Sequence, residues 1–350
     1  MEQARRVSAI IKYDNKDISA SLMPYVKSIS YRDAMSGQAD DLQITLEDRA
    51  GLWQSAWMPE LGATLDVSLV TENWQDAGML PQALRLGTFE LDEITSTGYP
   101  SEAQLKAVSV PFNNTLRGEE HTRSWEKAEL KTIANDIATA AELELFFDTD
   151  YNPTIERAEQ TEQSDLSFLL ALCSDYGLAL KISAGQLIIF DEAMYEAAEA
   201  VITIVKPGTL YTAIGNVIYL PAMLGYRFTR KLRDVYAACH VKYQQGQNKA
   251  LIEATFTVPG KTGKTLQVQE QVENTADAER LAKKRLREKN CDEVTGSLTL
   301  PGSFYLVSGV TVNMLGFGAY DGKYIITEAQ HNIGGGYTTG ISVRRCLDGY

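Results

Sequence analysis

The segment GTFELDE at residues 87–93 aligns without a gap with the segment GKYIITE at residues 322–328. The match continues on both sides in two further pairs of pieces: GATLDV at 62–67 with GVTVNM at 309–314, and Gly98-Tyr99 with Gly336-Tyr337. Three matching pieces in the same order indicate an internal repeat. We therefore expect one β module used twice, with two unrelated β modules as the alternative.

Side chains alternate along the repeated strand, which predicts which of them enter a core. Successive residues of a strand point to opposite faces. Phe89 and Leu91 should therefore face inward, as should their counterparts Tyr324 and Ile326. Ile325 should then face outward, and its exposure would suggest contact with another subunit or domain.

Apolar residues alternate with polar ones elsewhere in the first third of the chain, as at 42–46 and 65–69. This two-residue period, with turn residues between the runs, predicts several short strands that each bury one face. Val110 ends the pattern before Pro111. We therefore assign residues 1–111 to a first tube-like β-barrel.

The apolar spacing then changes to a helical one. Apolar residues recur every three or four positions over 125–141, with Ser124 as the expected N-cap. A second helix is predicted from Ser164-Asp165 to a C-cap at Gly177, followed by a β-hairpin. Residues 112–200 should therefore form a small α+β domain.

Strands resume after this domain. Residues 201–234 are interpreted as connecting strands that complete the first barrel. Residues 235–350 are assigned to a second tube-like β-barrel containing one helix at about 275–290, capped by Asn274 or Thr275. The predicted fold class is mainly β with an α+β insertion: two tube-like β-barrel domains related by an internal repeat, plus a small α+β domain.

The chain is acidic. Its 350 residues include 46 Asp and Glu against 33 Lys and Arg, which gives a formal net charge of −13. Because nucleic-acid binding usually needs a basic face, DNA is not expected as a tightly held partner. Two interpretations of the charge remain: a solvated acidic surface, or carboxylates that line a channel through which DNA slides without being trapped.

No sequence pattern indicates catalysis, a cofactor or a metal. The four cysteines and three histidines are dispersed, without a CxxC pair or metal-ligand spacing. The segment GKTGKT at 260–265 is not a phosphate-binding loop, because Val258 stands where the first glycine is required. We predict a turn there, and no catalytic, cofactor-binding or metal-binding residues. With no signal peptide or membrane span in the sequence, we expect synthesis in the cytoplasm.

The segment QTEQSDLSFL at 160–169, followed by Gly177, resembles the phage late-control protein D family of tail hubs. It is also similar to the hub part of type VI secretion spike proteins. That superfamily has a Gln-rich strand leading into an E-S-D-x-x-F-L helix start, and here Gln163 replaces the usual Glu. A helix at 278–286 and the closing segment from 301 to 331 resemble the family's last elements in the same order.

This resemblance spans about residues 125–346 and marks ten residues as structural signatures of the family. They are Gln160, Ser164, Asp165, Phe168, Leu169, Gly177, Gly309, Gly322, Tyr324 and His331. The resemblance implies a homotrimeric hub, in which two barrels per subunit form a pseudo-six-fold ring. Such a ring joins the hexameric tail tube protein to a trimeric central spike protein and contacts other baseplate proteins.

The same resemblance implies a place in the virion tail baseplate, with assembly in the host bacterial cytoplasm and DNA only passing through the lumen. Because the sequence stops at Tyr350, soon after the last predicted strand, we expect the spike to be a separate protein. Two alternatives belong to other classes: a tail-associated peptidoglycan hydrolase, and a β-rich receptor-binding or adaptor protein. A phage cannot be distinguished from a bacteriocin by these residues, since both use such a hub.

Overall fold

The computed structural model describes residues 4–74, 80–109, 115–244, 251–272, 274–347 and 349–350. The chain is mainly β and divides into two compact units. The first unit comprises Met1–Met194, Thr299–Gly309 and Thr327–Ile341. The second unit comprises Tyr195–Leu298, Val310–Ile326 and Ser342–Tyr350.

Seven strands lie in the described residues up to Ser109. They are β1 (Arg6–Tyr13), β2 (Lys16–Asp17), β3 (Val26–Ala34), β4 (Asp41–Glu47), β5 (Thr64–Glu72), β6 (Gln82–Thr97) and β7 (Glu102–Val108), with helix α1 (Ser19–Leu22) and a 3-10 turn (Met23–Tyr25) after β2. Six of them pair antiparallel in the order β1-β5-β6-β7-β4-β3. The predicted alternation is confirmed in β4, where Leu42, Ile44 and Leu46 are buried and their neighbours are half-buried. The expected end of this region at Val110-Pro111 lies outside the described residues.

An α+β region follows. It contains α2 (Thr115–Gly118), β8 (Glu120–Glu129), α3 (Leu130–Ala140), β9 (Glu144–Asp148), β10 (Thr154–Ser164), α4 (Asp165–Asp175), β11 (Ala179–Ser183) and β12 (Gln186–Phe190). Strand β8 pairs with β10, and β11, β12 and β9 form a second small sheet. The apolar faces of α3 and α4 share one core with both sheets.

The predicted start of α3 at Ser124 is wrong. Ser124 lies in β8, opposite Glu159 of β10, and the helix begins at Leu130. The helical spacing extended too far toward the N-terminus because Trp125, an apolar residue of the strand, continued the pattern. The predicted hairpin is confirmed, since β11 and β12 pair antiparallel around Ala184 and Gly185, which both have positive φ.

The remaining elements complete the chain. They are α5 (Glu192–Ala197), β13 (Ile202–Val205), β14 (Ile218–Leu220), β15 (Gly225–Arg230), β16 (Ala238–Gln244), β17 (Leu251–Thr257), β18 (Thr265–Val268), α6 (Thr275–Asn290), β19 (Val294–Pro301), β20 (Thr311–Leu315), a 3-10 turn (Gly318–Tyr320), β21 (Gly322–Ile333) and β22 (Tyr337–Arg345). Helix α6 packs on the small sheet β17-β16-β18. Asn274 caps α6 as predicted, because its side chain accepts a hydrogen bond from the Asp277 amide.

The strands of 201–234 have partners in the last part of the chain. Strand β13 pairs in parallel with β14 and β20, and β15 pairs with β19. These pairings differ from the expectation that 201–234 completes the first barrel. The strands of the described residues form open sheets, and none of these sheets closes on itself within the chain.

Candidate assembly site

The repeated hairpin has the same register in both copies. Four residue pairs of β5 and β6 correspond one by one to four pairs of β20 and β21, namely Thr64–Glu90, Leu65–Phe89, Asp66–Thr88 and Val67–Gly87 to Thr311–Ile325, Val312–Tyr324, Asn313–Lys323 and Met314–Gly322. A slip of one residue would turn every side chain to the opposite face of the sheet. The aligned positions therefore occupy equivalent places in the two hairpins.

The glycine before each hairpin also has the same conformation. Gly62 has φ of 84° and Gly309 has φ of 80°, in the left-handed region that favours glycine. The amide of Leu91 donates to the carbonyl of the residue after Gly62 at 3.0 Å, and the amide of Ile326 donates to the carbonyl of the residue after Gly309 at 2.9 Å. The correspondence thus extends from the strands into the turn.

A third strand packs an aromatic ring on each hairpin. Tyr31 of β3 contacts Phe89 with ring centroids 6.0 Å apart, and Phe228 of β15 contacts Tyr324 at 5.8 Å. The strand order is β5-β6-β7-β4-β3 in the first copy and β20-β21-β22-β19-β15 in the second. Strand β15 therefore takes the place of β3. The next neighbours differ, because β1 is antiparallel to β5 whereas β13 is parallel to β20.

The predicted exposure of Ile325 is wrong. Four residues are buried as predicted: Phe89, Leu91, Tyr324 and Ile326. Ile325 is fully buried as well, and Thr311 opposite it is largely buried. The Thr311 hydroxyl donates to the carbonyl of Ala198 at 3.4 Å, so another part of the second unit covers this face of the strand. The alternation predicts which face a residue takes but not whether that face is covered.

The signature residues Gln160 and Asp165 form a buried polar network. The Asp165 carboxylate is wholly buried, forms an ion pair with Arg123, and lies 3.1 Å from Nδ1 of His121. The Gln160 amide donates to Asp165 at 2.7 Å and accepts from Nε of Arg123 at 2.8 Å. A buried carboxylate requires such partners. The network therefore holds the start of α4 against β8 and β10.

The other signature residues of this region shape α4. Ser164 caps the helix by accepting a hydrogen bond from the amide three residues later. Phe168 stacks on Trp125 with ring centroids 5.3 Å apart, and Leu169 is fully buried. Gly177 follows the helix with φ of 75°, as the predicted C-cap requires. These side chains fold the α+β region and do not converge on a cavity.

His331 lies buried in the first unit. Its Nδ1 is 2.7 Å from the Tyr337 hydroxyl, and its ring stacks with Tyr31 and Tyr337 at 6.0 and 5.9 Å. Burial lowers the pKa of His331 to about 4, so the ring is neutral at neutral pH. Its role is therefore packing. The other closing signatures, Gly309, Gly322 and Tyr324, belong to the repeated hairpin.

A buried ion cluster in the first unit was not predicted from the sequence. Lys181 of β11 pairs with Asp33 of β3, and its ammonium lies 3.4 Å from Oδ1 of Asp40. The amide and hydroxyl of Ser308 both donate to Asp33 at 2.7 Å. Burial raises the pKa of Asp40 to about 6. No sequence signal joins Lys181 to Asp33, because 148 positions separate them.

A second cluster of this kind lies in the second unit. Glu196 of α5 is buried and forms ion pairs with Arg287 of α6 and Arg344 of β22. Its other oxygen accepts a hydrogen bond from the Leu347 amide at 2.8 Å. The cluster therefore fixes three separate segments to each other.

The loops around β14 and β15 carry exposed apolar side chains. The large apolar residues with more than half of their surface exposed here are Val201, Leu210, Ile214, Leu224 and Leu232. Leu210 is 98% exposed and Ile214 is 70% exposed. Apolar side chains grouped in one stretch of a surface mark a candidate contact with another chain.

The described part of the chain offers no group of three or more His, Cys, Asp or Glu that could hold a metal ion. Burial raises the pKa of Cys173 to about 12 and that of Cys239 to about 11, so these thiols stay protonated and unreactive. The segment 260–265 connects β17 to β18, with Gly260 in a left-handed turn conformation. Within the same described ranges, no helix is long and apolar enough to cross a membrane.

No protein-family model matches the chain. The probable baseplate hub protein of Escherichia phage P2 is 27% identical to it over 180 residues. This match covers 51% of the chain and 44% of that relative, so the chain spans less than half of the length of the curated relative it matches.

Solved structures share the fold over nearly the whole chain. The 43 kDa tail protein of prophage MuSo2 from Shewanella oneidensis has a TM-score of 0.70 at 14% identity, covering 97% of this chain and 98% of that one. An E. coli component of the type VI secretion system, described as similar to T4 bacteriophage tail proteins, has a TM-score of 0.58 at 12% identity and covers 99% of this chain and 78% of that one. The resemblance predicted from the sequence is thereby confirmed: the chain is similar in sequence to the baseplate hub proteins of phages P2 and 186 and has the fold of phage tail proteins.

Proposed function

We propose that the chain is a structural hub subunit in the baseplate of a contractile phage tail or a related injection machine, and that it is not an enzyme. The observation that carries this proposal is the match to a tail protein over 97% of the chain, together with the sequence similarity to phage baseplate hub proteins. The signature side chains support it, because they are used for packing and capping rather than for chemistry.

The hub acts as a homotrimeric ring. Each subunit supplies two modules that share strand order and the register of the repeated hairpin, so three subunits present six similar faces. A hexameric tail tube docks on these six faces. The differences between the modules, such as the parallel strand β13 and the inserted sheet with α6, keep a three-fold face for a central spike protein.

The repeat also defines the domains of this proposal. The first tube-like module consists of β1 and β3–β7, and the α+β region of about 112–200 follows it. The second module consists of β13, β15 and β19–β22. It therefore includes strands of 201–234, the segment that the sequence pattern assigns to the first barrel. Helix α6 and its small sheet interrupt this second module between β15 and β19.

In the virion, the ring contacts the tail tube, the spike and other baseplate proteins, and DNA only passes through its lumen. The net charge of −13 is consistent with this passage, because a basic lumen would hold the phosphates. Assembly takes place in the host bacterial cytoplasm.

Electron microscopy of particles from cells that encode the chain tests this proposal. Antibodies against the chain should label the baseplate end of the tail, and light scattering of the purified protein should give about 116 kDa, three times the 38.7 kDa chain. Label on fibres would favour the receptor-binding alternative. A cleared band on a peptidoglycan zymogram would favour the hydrolase.

A further inference from the structure

Two strand segments of the first and second repeat have equivalents that pair with each other, but among the described residues they lack this partner themselves. In the second copy, residues 328–333 of β21 pair with residues 29–34 of β3. The matching segment of the first copy is Glu93–Thr97 of β6, which pairs with β7 on one side. On its other side, β5 pairs only with residues 82–90 of β6.

The correspondence holds through this segment. In β6 the alternation of buried residues shifts by one position after Leu91, because the next residue that packs on the core is Ile94. The pairing of β6 with β7 is irregular at the same point, between Leu91 and Glu93. In β21 the alternation shifts at the equivalent position. Ile326, the equivalent of Leu91, is buried, and the next buried residue is Ala329, the equivalent of Ile94. Glu93–Thr97 therefore matches the segment of β21 that is paired.

The missing partner is β15. Its equivalent β3 pairs with β4 on one side and with β21 on the other. Among the described strands, β15 pairs only with β19. Four of the six residues of β15 are exposed, whereas the corresponding part of β3 is half-buried or buried. Each chain thus carries two edges, Glu93–Thr97 and β15, which are the equivalents of the strand pair that β21 and β3 form internally.

We propose that Glu93–Thr97 of one copy pairs antiparallel with β15 of the next copy, and that this pairing closes the trimeric ring. The inference rests on the proposed hub function, and it names the edges by which the copies join. A head-to-tail contact of this kind uses two different edges and forms a ring when its rotation closes. It also covers edges that would otherwise be open to uncontrolled pairing.

The internal pair gives the register between the copies. Because Phe89 corresponds to Tyr324, Thr95 corresponds to Gln330. Because Tyr31 corresponds to Phe228, Arg32 corresponds to Thr229. Gln330 pairs with Arg32 within the chain. Thr95 of one copy therefore lies opposite Thr229 of the next.

The charges at the two edges are complementary in this register. Glu93 and its neighbour Asp92 are exposed. Glu93, which pairs with Lys106 within the chain at 2.8 Å, comes opposite Lys231 of the next copy. Lys231 and Arg230 are exposed too, and their acidic partners within the chain lie at long distances of 3.9 and 3.7 Å. Opposite charges across paired strands stabilise the pair and fix its register.

Disulfide trapping tests this pairing. A Thr95→Cys chain is mixed with a Thr229→Cys chain, both carrying Cys291→Ser, because the other three native cysteines are buried. Oxidation should give a covalent heterodimer of about 77 kDa, twice the chain mass. The positive control is Arg32→Cys/Gln330→Cys, the internal counterpart. The negative control replaces Thr229→Cys by Thr257→Cys, an exposed position of β17 outside both modules.

Charge reversal provides a second measurement. Glu93→Lys and Lys231→Glu should each weaken trimer formation about tenfold in sedimentation, and the double variant should recover most of the loss. No heterodimer above the negative control overturns the edge pairing. If the protein is still a trimer, the hub proposal survives that result. A protein that is monomeric at every concentration and gives no heterodimer contradicts both.

Discussion

At the scale of residues, the contribution of the first unit's ion cluster to stability depends on its burial rather than on the number of its charges. Lys181, Asp33 and Asp40 are nearly excluded from water. Removing one partner leaves the others charged in a medium that solvates them poorly, which is strongly destabilising. An exposed pair such as Lys106–Glu93 contributes far less, because water and salt screen it.

The first prediction compares these two lysines. Lys181→Met should lower the free energy of unfolding by roughly 3–5 kcal/mol, because it leaves buried carboxylates without a counter-charge. Lys106→Met, its matched control, should change it by about 1 kcal/mol or less. Urea unfolding followed by fluorescence measures both. Equal effects would show that the cluster is solvated in the protein.

The second prediction concerns pH. Burial raises the pKa of Asp40 from 3.8 to about 6, so between these values the folded state binds more protons than the unfolded state. Stability from this group is present below pH 3.8 and is lost as the pH rises through 6. Asp40→Asn cannot ionise, so its stability relative to the wild type should rise by roughly 2 kcal/mol from pH 4 to pH 6.5.

Urea unfolding of both proteins across that range measures the difference, in which the titration of all other groups largely cancels. A difference that stays constant with pH, or that falls, would mean that Asp40 remains charged in the folded protein. His331 cancels in the same way, and its own effect has the opposite sign because burial lowers its pKa.

At the scale of elements, the helices show where local sequence is sufficient and where it is not. Helix α6 begins at the predicted cap because Asn274 satisfies a free amide of the first turn through its own side chain. Helix α3 has no side-chain cap, and the residues before it pair with β10. The sequence pattern did not predict its start, because β10, the strand that pairs with the preceding residues, is 25 or more residues away and does not affect the local spacing of apolar residues.

The third prediction tests the cap of α6. Asn274→Ala should destabilise the second unit by about 1 kcal/mol, since it leaves the Asp277 amide without its partner. Asn274→Ser keeps an acceptor and should restore most of the loss. Thermal unfolding by circular dichroism measures both variants. If alanine and serine behave alike, the cap does not contribute to stability.

At the scale of the whole molecule, the repeat was accessible from the sequence because hairpin register depends on local alternation and on glycine turns. The aligned segments at 87–93 and 322–328 have the same pairing in the structure. The assignment of strands to modules could not be predicted from the sequence, because the pattern of β13 and β15 indicates a continuation of the first module. Their partners β20 and β19 are 60 or more residues away. The burial of Ile325 and the ion clusters were missed for the same reason.

The last prediction follows from the proposed trimer. A folded trimer is favoured by mass action over the unfolded chain, so the melting temperature should rise with protein concentration.

The double variant Leu210→Asp/Ile214→Asp places two charges at positions where the side chains of a single chain are exposed to water. If these loops contact another copy, the substitution buries charge there, and it should abolish both the trimer and the concentration dependence. The fold of the single chain should persist, because neither side chain contributes to its core. Differential scanning calorimetry over a hundredfold range of concentration, with light scattering, measures both effects. A variant that remains trimeric would exclude these loops from the subunit contact, whereas a wild type with a constant melting temperature would contradict a trimer of the free protein.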